Sequence, residues 1–376
     1  MNKTSIQWAH STVNPLMGCL GCELFPEPKI VLDEIDLALA SVLPSWKSGE
    51  ARTAMRRLID DAYKAIEIPS EGHSRALSTT NIVHASGILA DQLAEEYGAA
   101  AGVAVREAID RRIVCYASKL HLNRATSIVA PLRKTNPGYA PSFERIRAYP
   151  GRAMQMARRA DLLGKVDPEK PWADGLPRLI FTGDMGDTFA RQSDFEFVAS
   201  DLMPAIESTE GRRHLWLLLS KRPERMAEFA RIHGRFPANV CCMTTITSRE
   251  SLGRLDDLRS IDCAMRGVSA EPLWERVSPA SLSLANIDWF IAGGASGARK
   301  NTKPFDLAWA RELRDFCRES GVAYFLKQLG TNPVVDGVPL KLGDRHGGEW
   351  HEWPEDLRVR EFPRAFHAYR RAEVSP

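Results

Sequence analysis

The chain has 376 residues, of which 44% are hydrophobic and 26% are charged, as in an ordinary globular protein. Fifty Lys and Arg residues against 48 Asp and Glu leave a formal net charge of +2, so no overall field favours nucleic acid or a membrane surface. No signal peptide is recognisable, and no apolar run reaches the ~18 residues of a membrane span. We therefore expect a cytoplasmic protein with one large domain or two ordinary ones.

The N-terminal region combines a short strand-like run, residues 5–8, with a loop that carries two cysteines. Cys19 and Cys22 lie two residues apart, and Gly18 and Gly21 each precede one of them. Glycines at these positions let the backbone turn tightly around a bound metal. In a reducing cytosol, cysteines at this spacing indicate metal binding rather than a disulfide.

A third cysteine, Cys115, follows after a long segment without cysteine. Three cysteines that converge on one site would leave a coordination position open, as a catalytic metal centre requires. The alternative is a closed zinc knuckle, in which Cys115 and His121 complete the site begun by Cys19 and Cys22. The other four cysteines lie in apolar patterns and are expected to be inert core residues: Cys241, Cys242, Cys263 and Cys317.

The segment between the second and third cysteines predicts helices from about residue 28 to 114. Apolar residues recur there at steps of three and four, along 30–39, 51–66 and 81–113. Its arginines predict either a solvated face or a surface that contacts a phosphate or another anionic substrate: Arg52, Arg56, Arg57, Arg106, Arg111 and Arg112.

Beyond this segment, short β-rich runs alternate with stretches long enough for helices. With residues 5–8 they make eight predicted strands, the other seven being 143–147, 178–182, 214–219, 239–244, 264–268, 288–292 and 322–326. Most are apolar throughout, as buried parallel strands are. The pattern favours an α/β fold of the (β/α)8 type, a TIM-like barrel, complete or incomplete, with a large helical insertion after the first strand. A doubly wound sheet is the second choice.

Polar residues directly follow the predicted strands, and in a parallel barrel these positions share the C-terminal rim where such folds place their chemistry. Asp184 and Glu271 could accept ribose hydroxyls there, or they could merely cap the helices that follow. Lys221 and Arg222 suit an anionic ligand or are ordinary surface charge. The loop 293–297 lacks the GxGxxG spacing, so it is either a tight turn or a backbone cradle for a carboxylate, ribose or phosphate. The candidate ligand-binding residues of the rim are Asp184, Lys221, Glu271, Gly293, Gly294, Ser296 and Lys327.

Several motifs together carry a family resemblance: Ser5–Trp8, Asn14–Cys22, Cys115–Ala117, Leu217–Met226, Ser269–Leu273, Ile287–Gly297, Phe325–Gly330 and Gly348–Pro354. They resemble an uncharacterised phage and bacterial family with a three-cysteine motif, which is itself similar to radical S-adenosylmethionine (SAM) proteins. The third cysteine of this chain is displaced from the usual short motif, so the intervening segment must leave the barrel and return at the same point.

The resemblance implies a [4Fe–4S] cluster on Cys19, Cys22 and Cys115, with SAM bound to it and to the rim. One electron from an external donor would cleave SAM to a 5′-deoxyadenosyl radical, which would abstract hydrogen from an unidentified substrate. Tyr116 would pack near the adenine or be a plain rim aromatic. The family's phage association suggests a nucleotide or nucleic acid as substrate. The competing hypothesis is a non-catalytic zinc or iron–sulfur protein that binds nucleic acid.

The expected domain organisation follows from the same resemblance. Residues 1–22 and 115–330 would form the radical-SAM-like barrel, 23–114 a helical insertion, and 331–376 a C-terminal extension that packs on the barrel. We expect the insertion to be a lid that covers the substrate and excludes water.

Overall fold

A computed structural model describes residues 6–65, 75–122, 143–162, 165–297, 299 and 302–374. The chain divides into two compact units, Met1–Pro15 with Tyr149–Pro376, and Leu16–Ala148. The boundaries expected on either side of 23–114 both lie inside the second unit.

The helices of the described ranges follow the chain in this order: α1 Pro28–Val42, α2 Glu50–Lys64, α3 Thr79–Tyr97, α4 Ala99–Arg112, α5 Tyr116–Leu122, α6 Arg152–Ala157, α7 Phe195–Phe197, α8 Met203–Glu207, α9 Pro223–His233, α10 Arg254–Ser260, α11 Leu307–Glu319 and α12 Arg364–Val374. A π-helical stretch, Val198–Leu202, joins α7 to α8. None of the helices in these ranges has the length and hydropathy needed to cross a membrane.

The strands are β1 Ser11–Val13, β2 Leu16–Met17, β3 Arg147–Ala148, β4 Arg178–Thr182, β5 His214–Ser220, β6 Val240–Thr245, β7 Met265–Ala270, β8 Trp289–Gly293, β9 Phe305–Asp306, β10 Ala323–Gln328, β11 Pro333–Val335 and β12 Val338–Pro339. Seven of them form one parallel sheet, in the order β1-β4-β5-β6-β7-β8-β10. Strands β9, β11 and β12 form a small separate sheet, and β2 pairs with β3.

The order of the parallel sheet decides between the two predicted architectures. Each strand of this sheet pairs with the member of the sheet that comes next along the chain, without reversal. Because crossovers between parallel strands are right-handed, an unreversed order places all of them on one face of the sheet. A doubly wound sheet reverses its order in the middle, so that second choice is wrong. The fold is mixed α/β with a curled parallel sheet of seven strands, compatible with a partial TIM-like barrel.

Six of the predicted strands, between 178 and 326, are confirmed, and two are wrong. Of the run 5–8, the described residues 6–8 form no strand, and the first strand is β1. The backbone of this run is bound by side chains instead, because Lys170 Nζ donates to the carbonyls of Ile6 and Ala9, each at 2.6 Å. Of the run 143–147, only Arg147 lies in a strand, the two-residue β3 outside the main sheet.

One hydrophobic cluster of the first unit lies on one face of the parallel sheet. Alternate residues of the strands point to it, since successive side chains of a strand face opposite sides. Trp8 from the N-terminal segment and Phe362 and Phe366 from the C-terminal segment complete it. On the other face, the Tyr324 hydroxyl donates to the Ala310 carbonyl in α11, 3.1 Å away. With the interior filled by side chains, the strand ends are where a ligand has room.

The outer edge of β10 is covered by the C-terminal segment of the same unit. Leu326 N donates to the Val359 carbonyl, and Glu361 N donates to the Tyr324 carbonyl, both at 2.9 Å. These bonds pair the segment antiparallel with β10 and satisfy backbone groups that an edge strand would otherwise expose.

The second unit contains α1 to α5, and the helices expected between 28 and 114 are α1 to α4. Buried aliphatic side chains such as Ile35, Leu89 and Val105 form its interior. Asp36 is buried at the end of this interior, where it accepts hydrogen bonds from Trp46 Nε1 and from two backbone N–H groups. A buried carboxylate without hydrogen-bond donors would cost folding free energy, so these bonds must form in the folded chain. They hold the turn between α1 and α2 in place.

Candidate functional site

The loop with the first two cysteines is shaped by its glycines and by one close backbone contact. Gly18 has φ +108°, a left-handed conformation that L side chains rarely adopt. A Cβ at that position would lie 2.9 Å from the carbonyl oxygens of Phe143 and Arg145. The next residue is anchored to the same segment, since Cys19 N donates to the Phe143 carbonyl at 2.7 Å. The local backbone therefore requires glycine before the first cysteine.

The third cysteine returns to this loop. Both Val114 N and Cys115 N donate to the carbonyl of Leu24, at 3.1 and 3.0 Å. Leu24 lies two residues after Cys22, whose own carbonyl accepts from Phe25 N at 3.2 Å. The long helical segment thus begins and ends at adjoining backbone positions within the second unit.

Cys19, Cys22 and Cys115 are each half-buried, and none of the seven cysteines, all within the described residues, forms a disulfide. Cysteine thiolates are the usual ligands of an iron–sulfur cluster, so the donor type fits one. Among the described residues, no group of three or more His, Cys, Asp or Glu side chains is placed to hold a metal ion. The four other cysteines are buried, as predicted.

Two further expectations for the second unit have different outcomes. The side chain of Tyr116 lies outside the described part of the structure, so its predicted role stays a prediction. Of the arginines, Arg106 pairs with Asp91, and Arg111 and Arg112 both pair with Glu34. These exposed ion pairs are typical of a solvated face.

The carboxyl ends of β1 and β4 are joined by an amide and a carboxylate of the first unit. Asn14 Nδ2 donates to Asp184 Oδ1 at 2.7 Å, and Asn14 Oδ1 accepts from Met185 N at 2.9 Å. Burial raises the pKa of the Asp184 carboxyl, and the bond from Asn14 opposes that shift. Asp184 does not cap a helix, so that interpretation is wrong. A half-buried carboxylate at a strand end suits a donor group on a ligand.

The next strand end along the sheet is held by Asp187. Its side chain is buried and accepts from Phe189 N and from Lys221 N, each at 2.9 Å. The second bond ties the loop after β4 to the residue that follows β5. Asp187 thereby places the backbone of Lys221, a predicted rim cation, at the same edge of the sheet as Asp184.

Lys327 and Glu271 form a partly buried ion pair at this edge of the sheet. Lys327 Nζ lies 2.5 Å from Glu271 Oε1, and the two side chains are 20% and 13% exposed. They belong to the ends of β10 and β7, which both pair with β8 between them. Gly293 at the end of β8 lies beside this contact, since a Cβ there would lie 3.4 Å from Glu271 Cγ, an ordinary van der Waals distance. Glu271 binds a cation rather than capping a helix.

The neighbouring glycine has a packing role. A Cβ on Gly294 would lie 2.3 Å from the carbonyl oxygen of Leu329, so no other residue fits without movement. Gln328 also holds Gly294 against the end of β10, because its Nε2 donates to the Gly294 carbonyl at 2.9 Å. The loop is therefore a tight turn against the exit of β10, and Ser296 lies exposed beyond it.

Sequence reasoning placed Asp184, Lys221, Glu271 and Lys327 at one edge of a parallel sheet, and the structure puts all four at strand ends. It missed Asn14 and Asp187 as the groups that hold this edge. It also missed Arg360, whose guanidinium donates to the carbonyls of Leu326 and Lys327. The tryptophans at 350 and 353 close to an Arg-rich stretch are the sequence signal that could have indicated it.

The fold and this edge define an α/β protein with a curled parallel sheet whose carboxyl ends carry paired polar and charged side chains. The chain matches a family of proteins of unknown function, DUF5131, over residues 114–354. It therefore belongs to that family. Comparison with curated proteins and with solved structures found no match.

Proposed function

We propose that the protein is a radical SAM-type iron–sulfur enzyme that modifies a nucleotide or nucleic acid. Cys19, Cys22 and Cys115 would hold a [4Fe–4S] cluster, and Asp184, Lys221, Glu271 and Lys327 are the predicted SAM-binding residues. When bound, the cluster would supply an electron from an external donor to the sulfonium of SAM, which releases methionine and a 5′-deoxyadenosyl radical.

The observation that carries this proposal is the return of Cys115 to the Cys19–Cys22 loop. Two adjacent N–H groups, those of Val114 and Cys115, donate to one carbonyl, that of Leu24. Without this return, a cysteine so far along the chain would have no reason to share a site with the other two. Metal binding and local ordering are coupled in such sites, so the thiolates would be drawn together by the iron.

The chain's own residues would provide the positions and charges for SAM. Asp184 offers a half-buried carboxylate, held by Asn14 at 2.7 Å, to hydroxyl or ammonium donors. Lys327 and Glu271 together offer one charge of each sign, which matches the ammonium and carboxylate of an amino acid. Lys221 would add a cation for an anionic substrate. Aromatic side chains fill the cluster on one face of the sheet, and they would exclude water from that side of the strand ends.

Anaerobic reconstitution with iron and sulfide tests the cluster. We expect a brown protein with roughly four irons per chain, as the cluster type requires. Cys19→Ala, Cys22→Ala and Cys115→Ala should each abolish iron uptake. Cys241→Ala and Cys317→Ala are the matched controls, since both residues are buried in the first unit.

Metal content also separates this proposal from a zinc protein that binds nucleic acid. A His121→Ala variant should leave iron uptake unchanged if only the three cysteines are ligands. Tight stoichiometric zinc, no iron uptake, and loss of the zinc in His121→Ala would contradict the enzyme and favour the closed zinc site.

A further inference from the structure

The guanidinium of Arg360 occupies a closed box of aromatic rings in the first unit. It lies 4.0 Å from the ring centre of Trp172, 5.3 Å from that of Trp350 and 5.1 Å from that of Trp353. Phe325 of β10 completes the box at 5.6 Å. The residue is 8% exposed. Burial lowers the pKa of Arg360 to about 10, so the group is still a cation at neutral pH.

The donors of this cation converge on the end of β10. Arg360 Nε donates to the Leu326 carbonyl at 3.3 Å, and Nη2 donates to the Lys327 carbonyl at 3.0 Å. Nη2 also donates to the carbonyl of Gly348, at 3.3 Å. One planar guanidinium thus joins the last residues of β10 to the C-terminal loop, which the point charge of a lysine cannot do with the same geometry.

These bonds fall where β10 departs from regular pairing. The register with β8 shifts between Leu326 and Gln328, which leaves Lys327 as the extra residue of a bulge. A bulge re-aims the side chain that it carries and leaves backbone groups of the strand unpaired. Arg360 supplies donors for the carbonyls at that place, and the side chain of the bulged residue reaches Glu271.

We infer that Arg360 is a positioning residue for Lys327. Arg360 holds the β10 bulge in the shape that brings Lys327 Nζ to Glu271. The C-terminal segment would then be part of the ligand site, although Arg360 lies outside the family match of 114–354. The part of this inference that makes Lys327 a ligand-binding group rests on the proposed function.

Trace acylation with acetic anhydride tests the positioning directly, because it reports the reactivity of each lysine by mass spectrometry without any ligand. In the wild-type chain, Lys327 should react slowly. Arg360→Lys should raise its rate roughly tenfold, the effect of losing one charge-assisted hydrogen bond. Arg358→Lys is the matched control, because Arg358 donates to the carbonyls of His351 and Trp353 but is not bonded to β10.

Two other lysines report whether the fold persists. Lys170 is buried and should remain protected, whereas Lys303 is exposed and should react freely in every variant. An unchanged rate for Lys327 in Arg360→Lys, with Lys170 protected, would overturn the inference. If Lys170 reacts as fast as Lys303, Arg360→Lys has unfolded, and Trp350→Leu is tested in its place. Trp350→Leu removes one of the rings around Arg360. A faster reaction of Lys327 in this variant would support the inference, and an unchanged rate with Lys170 protected would overturn it.

SAM titration adds a readout that a merely structural role would not produce. Arg360→Lys and Lys327→Met should weaken SAM binding by the same factor, and the double variant should weaken it no further. Additive losses in the double variant would contradict positioning through Lys327. If the wild-type protein binds no SAM, the proposed function fails, and the acylation rates still decide the role of Arg360.

Discussion

Asn14 and Asp184 are 170 positions apart in the chain, yet one amide joins them at 2.7 Å across the ends of β1 and β4. The same amide accepts from Met185 N, so both of its polar atoms are used to hold the loop after β4. Burial raises the pKa of the Asp184 carboxyl, and the hydrogen bond from Asn14 opposes that shift. An arrangement that costs stability and presents a carboxylate at a strand end is typical of a functional site.

We expect Asp184→Asn to separate stability from function. The neutral amide is nearly isosteric and can still accept from Asn14, so at pH 7 the variant should unfold at equal or higher urea concentration than the wild type. Because the folded-state pKa of Asp184 is raised, the carboxylate opposes folding above its unfolded-state pKa, and the difference should vanish at lower pH. SAM binding should nevertheless be lost. Unchanged SAM affinity would assign Asp184 a purely structural role.

The ion pair of Lys327 with Glu271 should contribute to binding as a unit. Glu271→Gln and Lys327→Met should each weaken SAM binding by roughly tenfold or more, since a charge-assisted hydrogen bond is lost. Their effects should not add in the double variant. Glu312→Gln is the control, because Glu312 forms an exposed pair with Arg276 at 2.6 Å. Isothermal titration measures all four, and iron content should be the same throughout.

Gly294 should be sensitive to substitution through packing alone. Gly294→Ala places a Cβ 2.3 Å from the Leu329 carbonyl, so we expect a loss of more than about 1 kcal/mol in the free energy of unfolding. Gly253→Ala is the matched control, because a Cβ at Gly253 meets no atom within 4 Å. Urea denaturation compares them. Equal stability of the two variants would mean that the loop can move away from Leu329 at no cost.

Acid should destabilise the first unit in a defined window because of two buried histidines. Burial lowers the pKa of His10 and of His214 to about 4, from 6.5 in the unfolded chain. Protonation of His10 also removes an acceptor, since its Nδ1 accepts from Leu179 N at 2.9 Å. Between pH 6.5 and about 4, the unfolded chain binds more protons at these two histidines than the folded chain does. The free energy of unfolding should therefore fall as the pH falls from 6.5 to about 4, and below pH 4 the two histidines should cause no further loss.

The size of this effect is up to about 3 kcal/mol for each histidine, from the pKa difference. His10→Gln should reduce the slope of unfolding free energy against pH in that window. An equal slope in the wild type and in His10→Gln would contradict a buried, neutral His10.

The helices between the cysteines should be separable from the cysteine loop. Because Leu24 O binds Val114 N and Cys115 N, the two ends of the segment adjoin, and about six Gly and Ser residues can replace 28–113. If the segment is a lid, the shortened protein should keep its iron and cleave SAM without modifying a substrate. Failure to take up iron would instead make the helices an essential support of the cysteine site.

The sequence by itself determined the strands that are buried on both sides. The runs 179–181 and 215–219 are apolar throughout and are bounded by polar residues, and runs this short are typical of buried parallel strands. The same pattern located Asp184, Glu271 and Lys327 at strand ends. It failed for residues 5–8, whose alternation resembles a strand, because Lys170 and Trp172, from far along the chain, bind the carbonyls of Ile6 and Gln7.

Only the tertiary structure decided which side chains meet. Glu271 and Lys327 lie 56 positions apart, and their contact joins the ends of β7 and β10 at a bulge in β10. Likewise, no local pattern relates Arg360 to the carbonyl of Lys327. Such contacts depend on strand register and on backbone approach to within a few tenths of an ångström. Local propensity and hydrophobic periodicity carry no information at that scale.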